Sequence, residues 1–123
     1  MYKNIICIVF SLLCLSAIAS ANETKIEAFK APFYLNQSVL ACGKLAEIKH
    51  FKNRHYLNLD APFPKQTLTL LIWDNHYPQF EEKLGKLDQY LNRRFCGLGV
   101  IEQYNDQLQI KLSNPHFLRL MTP

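Results

Sequence analysis

Hydrophobic and polar positions change their period several times along the chain, and each change predicts an element. Asn22 to Ser38 is a mixed lead-in interrupted at Ala31-Pro32. Val39 to about Phe51 reads as a long strand with a break at Gly43, where a residue without a Cβ suits a bulge or sharp coil. Lys52-Asn53-Arg54 is a turn. His55 to Leu59 then alternates, with Leu57 and Leu59 on one face and Tyr56 and Asn58 on the other. Pro62 and Pro64 make Asp60 to Lys65 a loop. Thr67 to Trp73 is a third strand: Leu68, Leu70 and Ile72 share one face, and Thr67, Thr69, Leu71 and Trp73 share the other. From Pro78 to about Asn92 the period lengthens. Phe80, Leu84, Leu87 and Leu91 form one stripe of an amphipathic helix. Pro78 and the acidic pair Glu81-Glu82 suit its start, and Gly85 predicts its division into a helix and a following turn. Phe95 to Tyr104 and Gln107 to Leu112 return to strand patterns, joined by the turn residues Asn105-Asp106. Asn114-Pro115 opens a short terminal segment, Pro115 to Met121, which reads as helical.

The length, 123 residues, suits one domain. With 49% apolar and 20% charged residues the chain is globular in composition, which argues against intrinsic disorder and low complexity. Ahead of the globular pattern stands an almost unbroken apolar run, Ile5 to Leu15, preceded by Lys3 and followed by Ala19-Ser20-Ala21. These are the three parts of a secretory signal peptide, residues 1–21. The competing reading is a membrane anchor, but the apolar stretch is short of the ~20 residues that span a bilayer. Cys14 does not make a lipoprotein site, because Leu13 stands where a small residue is needed. Cleavage leaves residues 22–123 and lowers the net charge from +4 to +3, since only Lys3 is lost. The expectation is a periplasmic or secreted protein with no stable membrane anchor after cleavage.

Cleavage also removes Cys7 and Cys14 and leaves Cys42 and Cys96. An even pair in an exported domain is most simply a disulfide, with two buried free thiols as the alternative. Such a bridge closes a loop worth roughly 4 kcal/mol on the chain-entropy model.

Three strands, a helix and two strands is the element order of the OB-fold, an all-β, five-stranded Greek-key β-barrel with a helix between strands three and four. A plain antiparallel sheet with one packed helix is the alternative. The cysteines favour the barrel: strands one and four are neighbours there, and Cys42 and Cys96 fall on those two strands, within disulfide reach. The domain then runs over 39–123, after a lead-in over 22–38.

From Val39 to Pro115 the sequence resembles the exported bacterial OB-fold domains usually described as nucleic-acid-binding. The likeness lies in Ala41-Cys42-Gly43-Lys44, in Tyr56-Leu57-Asn58-Leu59 with Pro64 and Gln66, and in Leu68-Thr69-Leu70-Leu71-Ile72-Trp73. It continues in Phe95-Cys96-Gly97-Leu98-Gly99 and Leu108-Gln109-Ile110-Lys111-Leu112. The resemblance implies the barrel fold and a nucleic-acid ligand. The chain departs from those domains at Asp60, where they tend to carry Gly, at Asn92-Arg93, where they have Gly-Lys, and at Val100, where they have Lys. The departures set an acid near the expected face and remove one cation.

OB-folds usually bind across the outer face of strands two and three and the flanking loops. The alternation puts Tyr56, Asn58, Thr69, Leu71 and Trp73 on that face. Lys52 and Arg54 lie in the turn leading into it, and Lys44 and Lys49 lie on strand one. Aromatics that stack on bases and cations that follow phosphates are the parts of a single-strand binder. The competing readings are that Tyr56 and Trp73 pack under a loop or the N-terminal segment and that the lysines are ordinary solvated surface.

The histidines, His50, His55, His76 and His116, lack zinc-finger or i, i+4 spacing with further ligands close by. His50 and His55 can approach across the first hairpin, which gives two ligands at most, so neither a metal nor another cofactor is expected. Asp74-Asn75-His76 reads as a turn, for which Asp and Asn are suited by local hydrogen bonding. Neither Ser38 nor Ser113 has an evident base, and no catalytic set assembles. The expectation is a non-catalytic module for single-stranded DNA or RNA. A protein-interaction or envelope-assembly module, with an envelope protein as partner, is the alternative.

Overall fold

The computed structural model describes residues 23–121. The segment on which the signal-peptide reading rests lies outside the described residues. Within them the elements are β1 (Lys25–Glu27), β2 (Ser38–Phe51), β3 (Arg54–Leu59), β4 (Leu68–Trp73), α1 (Tyr77–Leu84), β5 (Arg94–Val100), β6 (Glu102–Tyr104), β7 (Gln107–Lys111) and β8 (Leu118–Leu120). The strand order is β6-β7-β4-β3-β2-β5-β8, with β1 beside β2. All these pairs are antiparallel except β1 with β2 and β4 with β7.

The expected fourth strand, Phe95 to Tyr104, is β5 and β6. They part at the buried Ile101, whose N–H donates to Gln37 O and whose carbonyl accepts from Asn36 N. One half pairs with β2 and the other with β7, so a single kinked segment closes the sheet into an all-β OB-fold barrel.

β2 serves both sides of the closure. Its first half, Ser38 to Lys44, pairs with β5, and its second half, from Leu45 to Phe51, pairs with β3. Between the halves the register slips, so that Leu45 faces Leu59 while Glu47 faces Asn58. The bulge therefore falls at Ala46 and not at Gly43. Gly43 meets a different need. A Cβ there would lie 2.8 Å from Asp60 Oδ1 and 3.2 Å from Ala28 Cβ. The Asp60 carboxylate fills that space, accepting from Lys44 N–H at 3.0 Å and from Thr67 Oγ1 at 2.5 Å. Asp60, at φ 73°, thus ties the loop after β3 to the bend of β2.

The inward residues of the strands, among them Val39, Leu45, Leu57, Leu70, Phe95 and Ile110, form one buried core. Burial of each large side chain is worth about 1.5–3 kcal/mol. Phe80 of α1 and Leu87 join this core and plug one end of the barrel. The helical stretch is divided at Gly85, as the sequence suggests. α1 ends at Gly85, whose φ of 84° terminates the α-helical path, and a 3-10 turn follows over Leu87–Tyr90. Leu91 leaves the stripe and is 41% exposed.

Both ends of the described chain belong to the fold. The lead-in supplies β1 and a 3-10 helix, Ala28–Tyr34, that contains Pro32 and buries Ala28 and Ala31. The terminal helical segment is one 3-10 turn, Pro115–Phe117, and Leu118–Leu120 continues as β8 against β5. Arg94 pairs with Glu27, and Arg119 makes a two-point contact with Glu23 at 2.8 and 3.0 Å. Each pair holds Glu27 or Glu23 below the usual carboxylate range, first through the Arg hydrogen bond. Among the described residues no helix is long and apolar enough to cross a membrane.

Cys42 and Cys96 are direct register partners on β2 and β5, with Cα atoms 4.0 Å apart, and they form a disulfide. The bridge lies outside the main core, in a second buried cluster with Leu40, against which Leu98 and Met121 pack.

Candidate functional site

On the outer face of β2, β3, β4 and β7 the registers produce three rows of side chains. Glu47, Asn58, Thr69 and Gln109 make the first row, Lys49, Tyr56, Leu71 and Lys111 the second, and Phe51, Arg54 and Trp73 the third.

Asn58, Thr69 and Gln109 of the first row form the polar floor of a cleft of about 690 Å³. All three are buried, at 2%, 4% and 8% exposure respectively. Buried polar groups need partners, and here they supply one another. Thr69 Oγ1 donates to Asn58 Oδ1 at 2.7 Å, and Asn58 Nδ2 donates to Glu47 Oε1 at 2.8 Å. Gln66 Nε2 donates to Thr69 Oγ1 at 3.1 Å and to Gln107 Oε1 at 2.8 Å, while Gln109 Nε2 donates to Glu102 Oε1 at 2.8 Å. Glu47 Oε1 also accepts from Phe63 N–H at 3.0 Å. That bond, with the one from Asn58, holds the Glu47 carboxyl below its usual range.

Aromatic side chains rim this floor. Phe51, Tyr56, Phe63 and Tyr104 line the cleft together with Lys49. Phe51, Phe63 and Tyr104 are 57%, 59% and 53% exposed. Lys52 Nζ lies 5.5 Å from the Phe51 ring centroid.

The sequence-predicted residues divide accordingly. Lys49, Tyr56, Asn58 and Thr69 come together in the cleft. Leu71 does not contribute a contact surface: it lies on the outer face as expected but is 2% exposed, between its partners Tyr56 and Lys111. Trp73 faces a separate depression with Asn53, Asp74, Asn75 and His76, and the Arg54 guanidinium lies 5.2 Å from its ring centroid. Lys44 is exposed at the far half of β2, opposite Arg94, away from the cleft lining. Asp60, the acid expected near the face, is spent on the bend of β2 and does not line the cleft.

Sequence reasoning missed Phe51, Phe63, Tyr104, Gln66, Gln107 and Gln109. One signal was available. Gln107, Gln109 and Lys111 alternate with Leu108, Ile110 and Leu112, and strand five adjoins strand three in this barrel, so its polar positions extend the same face.

A second cluster stands at the end of the barrel under α1. His50 and His55 are register partners on β2 and β3, and their rings stack at 4.0 Å, 4° from parallel. The stack continues onto Tyr77 of α1, 3.5 Å from His55. Asp74, in the turn between β4 and α1, reaches both histidines. His50 Nε2 donates to its carboxylate at 3.0 Å. His55 Nδ1 is buried and also 3.0 Å from Asp74 Oδ1, but not in line for a hydrogen bond. Burial lowers the His55 pKa most, the neighbouring His50 lowers it further, and Asp74 opposes both. Burial also pushes the Tyr77 phenol up to about 12. The sequence allowed two approaching histidines; the third donor, Asp74, was hidden because the turn that carries it is distant in sequence and adjacent only in the barrel.

No protein-family model matches the sequence, and no curated protein matches it. The fold does have counterparts among solved structures. OBody AM2EP06, bound to hen egg-white lysozyme, is 12% identical, with a TM-score of 0.56 over 84% of this chain and 97% of that one. OBody AM3L15, also bound to hen egg-white lysozyme, is 12% identical, with a TM-score of 0.55 over 85% and 94%. A chain of the S. pombe Stn1-Ten1 complex is 11% identical, with a TM-score of 0.51 over 70% of this chain. The present chain spans 59% of that one. At these identities the likeness is one of fold: an OB-fold barrel.

Proposed function

We propose that the protein is an exported, non-catalytic OB-fold module that binds single-stranded nucleic acid or oligonucleotides in the cleft of β2, β3, β4 and β7. The observation that carries this reading is the pairing of a hydrogen-bonded amide and hydroxyl floor with three exposed aromatic rings. Rings of this kind offer stacking surfaces to successive bases, each worth about 1–3 kcal/mol. The floor offers donors and acceptors to base edges, and Lys49 on the cleft wall and Lys52 beside Phe51 offer charge to phosphates.

The test is the anisotropy of a labelled mixed-sequence DNA oligonucleotide, titrated with protein at low and at moderate salt. The expected result is saturable binding that weakens with salt and weakens about fivefold or more in Phe63→Ala and in Tyr104→Ala. Absence of binding at low salt, or equal affinity in both variants, overturns the reading.

A second reading, the protein-interaction or envelope-assembly module, is favoured by a different surface. Phe29 and Phe33 of the 3-10 helix are 58% and 77% exposed. Large exposed aromatics suit a protein contact, and the OBodies of this fold are bound to a protein, lysozyme. A partner recovered from envelope extracts by wild type, and lost with Phe33→Ser, supports this reading over the first.

A further inference from the structure

The strongest unassigned constellation is His50, His55 and Asp74, and we propose that these three residues bind a late first-row divalent cation of the zinc class. The proposal does not depend on the nucleic-acid reading. Two imidazole nitrogens and one carboxylate oxygen are a donor set suited to such a cation, and three protein ligands leave a coordination position for water or a bound group.

The geometry carries the assignment. One ligand atom from each residue lies within 4.8 Å of the other two. Asp74 Oδ1 is 3.0 Å from both His50 Nε2 and His55 Nδ1. Donors around a tetrahedral zinc stand about 3.3 Å apart at ordinary bond lengths. An aligned hydrogen bond satisfies only one of the two nitrogens, and buried His55 Nδ1 faces Asp74 Oδ1 without one. A cation at the centre would engage all three donors at once. The rings are parallel, so their in-plane lone pairs run side by side and one ring must tilt to converge with the other. His50, with 54% of its side chain exposed, is free to tilt; His55, at 15%, is fixed by Tyr77.

The three ligands come from the β2–β3 hairpin and from the turn that launches α1. A bound cation therefore fastens the helix to the barrel and raises the melting temperature. It also lies beside the cleft, since His50 contributes to the cleft wall.

The test uses protein purified after expression of the full sequence, oxidised and stripped with a chelator. Zinc chloride is titrated by calorimetry, with magnesium chloride as control, and cobalt absorption is recorded. The expected result is about one equivalent of zinc, with cobalt bands of a nitrogen–oxygen site and a raised melting temperature. Affinity falls about tenfold or more in His50→Ala and in Asp74→Asn, and stays unchanged in His116→Ala. No saturable zinc binding, or undiminished affinity in His50→Ala, overturns the proposal. His50 is exposed, so its variant keeps the test valid if Asp74→Asn fails to fold.

Discussion

The guanidinium of Arg54 covers the indole of Trp73, with Cζ 5.2 Å from the ring centroid. The single tryptophan is thereby a packing partner of a cation, in a depression separate from the aromatic cleft. Such contacts are worth about 0.5–1 kcal/mol where solvent reaches them. Arg54→Ala is expected to lower stability by about that amount and to make Trp73 emission more accessible to iodide. Oligonucleotide that raises anisotropy is expected to leave Trp73 emission unchanged in the wild type. Strong quenching on binding would place the ligand over Trp73 and not over Tyr56 and Tyr104.

Gly97 marks a close approach across the barrel. A Cβ on it would stand 2.5 Å from Leu70 Cδ2, inside the packed core. Gly97→Ala must displace Leu70, and overpacking of this kind costs about 1–3 kcal/mol. The urea midpoint should fall with the slope unchanged. An unchanged midpoint would mean that the core holds spare volume at this point.

The cleft floor has a built-in acid limit. Glu47 accepts from Phe63 N–H and Asn58 Nδ2, and these bonds hold its folded pKa below the ordinary carboxylate value. A lowered carboxyl pKa contributes stability that is complete above the unfolded value and is lost as pH falls through the folded one. The Phe63 amide resonance should therefore move only as pH falls below the ordinary carboxylate range, and Phe63 should loosen with it. Glu47→Gln keeps an acceptor oxygen without the ionisation. It should hold the loop and abolish the pH response; a response that persists in this variant assigns it to another carboxyl.

The disulfide closes a sequence separation of 54 residues. Replacing both cysteines with serine should cost roughly 4 kcal/mol, seen as a large drop in the denaturation midpoint. A loss well under half of that would indicate that the unfolded chain is already compact.

The strands were legible because their periods were clean. Leu57, Leu59, Leu68, Leu70 and Ile72 all point inward as alternation requires, and the cysteines fell on neighbouring strands as the topology demands. Burial on the outer face was not legible, because alternation assigns a side and not an exposure. Leu71, Asn58 and Thr69 all face outward, yet side chains of the neighbouring strands and of the loop after β3 crowd around them. The division of the helical stripe was legible in Gly85, which ends α1 before Leu87 and Leu91 can continue the turn. At the C-terminus, Pro115 starts only one turn, and the free edge of β5 then recruits Leu118–Leu120 as a strand. The histidine cluster needed Asp74, and no local pattern joins positions 50, 55 and 74.

The division of β2 between two partners also sets a timetable for folding. Its second half can pair with β3 as soon as a short hairpin has formed. Its first half must wait for Arg94–Val100, near the far end of the chain. Contacts so distant in sequence are slow to form, and until they do, the Val39-Leu40-Ala41 edge stands open as a template for the wrong chain. Oxidation of Cys42 and Cys96 fastens that late pair at its centre. A newly made chain held under reducing conditions should therefore be prone to self-association through this edge.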